Sequence, residues 1–217
     1  MRLVDLSVPL DSGMPVYPGD PQVRIRPALT AARDGVNVLH LELGSQSGTH
    51  VDAPCHIDDA LPALDALPLD RFDGPAHLVD ARGLAPHSPI GAGHVARVPE
   101  GRIVLVVTGW SAHWGSDAYH GHPYLTEEAA ALLVARGVPT VGIDALSVDP
   151  TPAEGLAAHR ILSGAGTVIA ENLTNLTEVL EAQRAGLDVQ VSLFPLHLPG
   201  ADGAPVRAVA RITEPQP

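Results

Sequence analysis

Eleven residues, Gln46-Ser47-Gly48-Thr49-His50-Val51-Asp52-Ala53-Pro54-Cys55-His56, most constrain what this chain of 217 residues can build. They place two imidazoles and a carboxylate, ligand types for a divalent metal, on a stretch that also holds a Gly and a Pro. Positions 46, 50, 52 and 56 share parity, so an extended strand turns them to one face. A straight strand would still set Gln46 and His56 about 33 Å apart at ~3.3 Å per residue. Ligands must sit ~2.0–2.2 Å from a zinc-like ion, so the segment has to curl. Gly48 permits unusual backbone angles, and Pro54 fixes its own φ and restricts Ala53. The expectation is a strand over 36–43, buried on both faces, then a bent loop presenting Gln46, His50, Asp52 and His56 inward.

The remainder of the chain reads as a single α/β domain over 1–217. Aromatic content is only 3%, so the core must rest on Leu, Val, Ile and Ala. All 13 basic residues are Arg, and the net charge of −12 argues against nucleic acid, whose phosphates demand a basic surface. The same charge gives no support for an anionic membrane. The N-terminus lacks the apolar core of a signal peptide, and no apolar run approaches the ~18 residues of a membrane span. The single Cys55 rules out an internal disulfide and fits a reducing compartment, with cytoplasm as the default.

Strands are expected over 3–8, 77–80, 103–107, 140–143, 167–170, 189–193 and 206–212. The continuous β-branched run from Ile103 to Val107 reads as a central strand. Residues 15–21 form a turn-rich loop. Thr126 can cap a helix over 129–135, with Glu127 and Glu128 at its positive end and Gly137 at its stop. A short helix over 156–162 carries His159, the 167–170 strand delivers Glu171, and Thr177 caps a helix over 177–185. The sum is a mixed sheet with flanking helices and several antiparallel strands.

The 46–56 segment resembles the signature of the cyclase / kynurenine formamidase family of metal-dependent hydrolases, His-x-Gly-Thr-His-x-Asp-x-Pro-x-His. The match runs from Gly48 to His56, with Gln46 where the pattern has His. Further segments resemble the family in order: Val4-Asp5-Leu6-Ser7, Tyr17-Pro18-Gly19-Asp20-Pro21, Thr108-Gly109-Trp110, the run from Val141 to Asp149, Glu171-Asn172-Leu173, and the run from Asp202 to Arg207. The resemblance implies a swivelling β/β/α-type fold, a homo-oligomer such as a homodimer, and one or two Zn²⁺ or Mn²⁺ ions. It implies His50 and Asp52 as metal ligands, with Asp52 able to bridge, and His56 and Glu171 at a second metal position. It gives His159 an acid/base role, with His56 also a catalytic candidate.

Gln46 is a candidate ligand through its amide oxygen, a weaker donor to Zn²⁺ than imidazole; oxygen-rich ligation moves preference toward Mn²⁺. Hydrogen bonding to the loop or to substrate is its other reading. Cys55 has the opposite parity to the ligands and reads as a small buried hydrophobe. Residues His113, His120 and His122 read as a loop or as part of the site lining, Tyr17 as a cover over substrate or as packing, and Asp202-Gly203 as a turn.

The implied activity is metal-assisted hydrolysis of an amide C–N bond. N-formylkynurenine, a substrate of tryptophan catabolism, is the leading candidate. A lactone or cyclic-amide hydrolase, a polyketide-type cyclase and a catalytically silent binding protein on the same fold are the alternatives.

Overall fold

A computed structural model of the chain describes residues 1–152 and 155–215. Every residue of the Ile103–Val107 strand is buried, as its continuous apolar run requires. Alternate side chains serve opposite faces: Ile103, Leu105 and Val107 join one apolar cluster, and Val104 and Val106 the other. Burying each such side chain contributes about 1.5–3 kcal/mol.

Among the described residues, nine strands form one mixed sheet. Their order is Arg2–Asp5, Val209–Thr213, Asp188–Ser192, Asp73–Asp80, Ile103–Val107, Thr140–Ile143, Val168–Glu171, His50–Asp52 and Gly203–Pro205. The strands from Asp73–Asp80 to Val168–Glu171 run parallel, and all the flanking pairs are antiparallel. Helix Leu176–Arg184 covers one face through Leu176, Val179 and Leu180. Helices Glu127–Ala135 and Ala157–Gly164 cover the other through Ala130, Leu133, Ala158 and Leu162. The mixed α/β expectation therefore holds. No helix among the described residues is long and apolar enough to cross a membrane.

Local readings fare unevenly. Thr126 caps its helix, its side chain accepting from the Ala129 N–H. The last helix instead starts one residue earlier than expected, behind Asn175 in a left-handed conformation, so Thr177 lies inside it. The strand expected over 206–212 starts later, as Val209–Thr213, and the Gly203–Pro205 strand ahead of it was not expected.

The strand expected over 36–43 is corrected most. It spans Val38–Glu42, pairs with Arg24–Leu29 in a separate two-stranded ribbon, and is exposed along its whole length. Its apolar alternation signals strand but cannot say whether anything covers it.

Candidate metal centre and active site

The 46–56 segment curls by a chain of local devices. Gly48 takes φ +65, and Asn172 donates its side-chain N–H to the Gly48 carbonyl at 3.0 Å. The Thr49 hydroxyl donates to the Asn172 carbonyl at 2.6 Å and accepts from the Val8 N–H at 2.9 Å. His50–Asp52 then runs as a three-residue strand, and a 3₁₀ turn over Pro54–His56 folds His56 back.

Pairing supplies the third member of the cluster. Glu171 lies opposite His50 in antiparallel register, so both side chains leave the same face of the sheet as Asp52. His50 Nε2 is 3.4 Å from Asp52 Oδ1 and 3.7 Å from Glu171 Oε2. These three buried residues offer ligand atoms that all lie within 4.8 Å of one another. His50 Nδ1 lies 2.7 Å from the Gly48 carbonyl. A carbonyl only accepts, so Nδ1 carries a proton and Nε2 is the nitrogen that faces the two carboxylates.

His159 approaches from helix Ala157–Gly164. Asp149 fixes that helix and the ring together. Its carboxylate accepts from the N–H groups of Ala158 and His159, each at 2.9 Å, and from His159 Nδ1 at 2.7 Å. His159 Nε2 is left 3.5 Å from Glu171 Oε1 and 3.7 Å from Asp52 Oδ2.

Both Asp52 oxygens are buried without a hydrogen-bond partner. A buried carboxylate with neither oxygen satisfied is costly unless a cation neutralises it. With the His50 imidazole and a second carboxylate beside it, this donor set fits a divalent metal ion. Burial works to raise Asp52, but His50, His159 and His56 outweigh it and hold the carboxyl below its usual range. Burial lifts Glu171 above its ordinary value; His159 opposes the lift and the Asp52 carboxylate reinforces it. Burial opposes charge on His159, yet Asp149, Asp52 and Glu171 push it up to about 10.

The cluster opens into a cavity of about 280 Å³ that Tyr17, Asp20, Gln46, His56, Leu146 and Asn172 help to line. The structure thus brings His50, Asp52, Glu171 and His159 together. It places His56 and Gln46 on the cavity wall, outside the three-residue cluster, where both contact Asp202. Tyr17 lines the cavity, whereas the His113, His120 and His122 stretch does not. Cys55 is half-buried against the core, and burial raises its thiol pKa, which fits packing better than nucleophilic chemistry.

Sequence reasoning did not single out Asp149 as the orienting carboxylate. The available signal was its position ahead of the predicted His159 helix, where an acidic side chain can meet free N–H groups.

The Cyclase family model matches residues 4–150. The chain belongs to the cyclase family. It is 35% identical over 219 residues to the kynurenine formamidase of Salinibacter ruber, an alignment covering 97% of this chain and 98% of that one. Among solved structures, isatin hydrolase A from Labrenzia aggregata shares 25% identity at TM-score 0.85, covering 98% of this chain and 94% of the other. A potential metal-dependent hydrolase with cyclase activity shares 28% at TM-score 0.78, covering 100% and 99%. This cyclase-family chain is an enzyme, a metal-dependent hydrolase.

Proposed function

We propose that this cyclase-family enzyme hydrolyses the amide C–N bond of an N-formyl arylamine, with N-formylkynurenine as the leading substrate. The observation that carries the reading is the pair of unpartnered Asp52 oxygens, buried beside the His50 imidazole and Glu171 at the base of a cavity. The likeness to kynurenine formamidases over nearly the whole chain supplies the substrate class.

His50, Asp52 and Glu171 are the residues that would hold a Zn²⁺ or Mn²⁺ ion. The chemistry a divalent ion supplies is Lewis acidity, which polarises a carbonyl and acidifies water. Within that frame the histidines divide the proton work. His56 accepts a proton at Nε2 from the water whose oxygen adds to the formyl carbon, because Asp202 engages its Nδ1. His159, its Nδ1 engaged by Asp149, gives a proton from Nε2 to the leaving nitrogen as the C–N bond breaks. Formate and the free arylamine are the products.

A second reading, hydrolysis of a cyclic amide, is favoured by the fold-wide likeness to an isatin hydrolase. We further propose a cytoplasmic homo-oligomer, such as a homodimer. The exposed apolar residues Val38, Leu39 and Leu41 of the ribbon support a surface covered by another chain.

The test is turnover of N-formylkynurenine and of isatin, in parallel, by metal-stripped protein reloaded with Zn²⁺ or Mn²⁺. Metal-dependent release of formate supports the first reading. Ring opening of isatin alone moves the assignment to cyclic amides. No turnover of either rejects both substrate classes.

A further inference from the structure

Asp202 lies in the turn that leads into the Gly203–Pro205 edge strand, next to the strand that carries His50 and Asp52. Three side chains converge on its Oδ2: Gln46 Nε2 at 2.9 Å, His56 Nδ1 at 3.2 Å and Ser45 Oγ at 3.2 Å. An ionised carboxylate only accepts, so His56 Nδ1 must carry its proton to make this bond. Gln46 Nε2 also lies 3.1 Å from that Nδ1, but a protonated Nδ1 cannot accept from it. The Gln46 amide therefore donates to Asp202. With its two ends exchanged, it would set a carbonyl oxygen against the carboxylate.

The backbone is shaped around this contact. A Cβ on Gly203 would stand 2.5 Å from Gln46 Nε2 and 2.8 Å from the Val51 carbonyl, so only glycine leaves room for the amide. The Asp202 carbonyl accepts from the Ala53 N–H at 2.8 Å, which ties the turn to the residue after the ligand strand without using the side chain.

We propose that Asp202, with Gln46 beside it, is a positioning residue that fixes His56 as the Nδ1–H tautomer and turns its Nε2 lone pair into the cavity. This rests on the proton-accepting role of His56 given above. The arrangement has the logic of a carboxylate behind a catalytic imidazole, which selects tautomer and orientation without itself taking the proton. It also gives position 46 a use in this chain distinct from metal binding. An amide donates to Asp202 without titrating, where the family pattern has an imidazole.

The experiment combines ¹⁵N NMR of His56 with steady-state kinetics and metal content, on the metal-loaded full chain, for wild type, Asp202→Ala, Asp202→Asn and His56→Ala. The proposal expects wild-type His56 as the Nδ1–H tautomer and a mixture in Asp202→Ala. It expects kcat to fall about 10–100-fold in that variant, the usual range for losing an outer partner, with KM and bound metal unchanged. Asp202→Asn, matched in shape but neutral, should fall between the two, and it serves the test should the alanine variant not fold. An unchanged tautomer and kcat in the Asp202 variants, with His56→Ala inactive, would overturn the proposal alone. Full turnover by His56→Ala would overturn both the role of His56 and the proposal built on it.

Discussion

Glu171 stands directly opposite His50 on paired antiparallel strands, with Oε2 3.7 Å from Nε2. Neither residue is near the other in sequence; the sheet makes them neighbours. Glu171 Oε1 is also tied down, accepting from the Val148 N–H at 2.8 Å.

That second bond allows the charge of Glu171 to be removed without emptying the site. Glu171→Gln keeps a carbonyl oxygen to accept from Val148. The metal-stripped variant should melt within a few degrees of metal-stripped wild type. Saturating Zn²⁺ or Mn²⁺ should stabilise wild type by about 3 kcal/mol at 100 times Kd and the variant by far less. Melting curves with and without metal check this, and equal stabilisation of the two proteins would sink the ligand role.

Asp149 serves fold and chemistry at once, bonding two backbone N–H groups of the Ala157–Gly164 helix as well as the His159 ring. Asp149→Ala should cost about 1–3 kcal/mol in denaturant unfolding, since buried donors lose their acceptor. It should also lower kcat by at least about 100-fold, as expected when an acid/base group is misplaced. A stability loss with normal kcat would confine Asp149 to the helix.

Gly203→Ala adds one methyl where Gln46 Nε2 would be 2.5 Å away. The Gln46 side chain must move, because the Val51 carbonyl on the other side belongs to the sheet. A loss of about 1–3 kcal/mol is expected from overpacking. The same change should lower kcat as Gln46 leaves Asp202. Wild-type stability and kcat together would show that the amide is free to relocate.

His122 gives a pH dependence away from the metal cluster. Its Nδ1 lies 3.0 Å from the Pro123 carbonyl and its Nε2 2.9 Å from the Thr151 hydroxyl, a pairing that suits the neutral ring. Burial lowers its pKa from 6.5 to about 4. The unfolded chain therefore takes up a proton that the folded chain refuses. The contribution of His122 is complete above pH 6.5 and is lost as pH falls from there toward about 4, below which it levels off. The full span is about 3 kcal/mol. Denaturant titrations of wild type and His122→Gln across this range should differ in slope, wild type being the steeper; parallel slopes would refute the assignment.

The ligand parity of His50 and Asp52 was legible in the sequence because a strand period is local. So was the curl, since Gly48 and Pro54 act within their own residues. Glu171 and His159 were placed on the right elements, but their convergence needed the strand register and the packing of a helix on the sheet. Asp202-Gly203 read as a turn, but Gly203 opens the Gly203–Pro205 strand and only Asp202 lies outside it; nothing near them in sequence shows that Gln46 and His56 meet the Asp202 carboxylate. The 36–43 strand was legible as strand and misread as buried, because alternation reports the backbone and not what lies above it.

The most direct measurement of the central claim is calorimetric titration of Zn²⁺ and Mn²⁺ into metal-stripped wild type and Asp52→Asn, with folding of both verified by circular dichroism. The account predicts tight binding to wild type and an affinity reduced by more than about 100-fold in the variant, beyond the usual cost of losing an outer partner. Equal affinities in the two folded proteins would contradict it, because the unpartnered Asp52 carboxylate would then have no cation to hold.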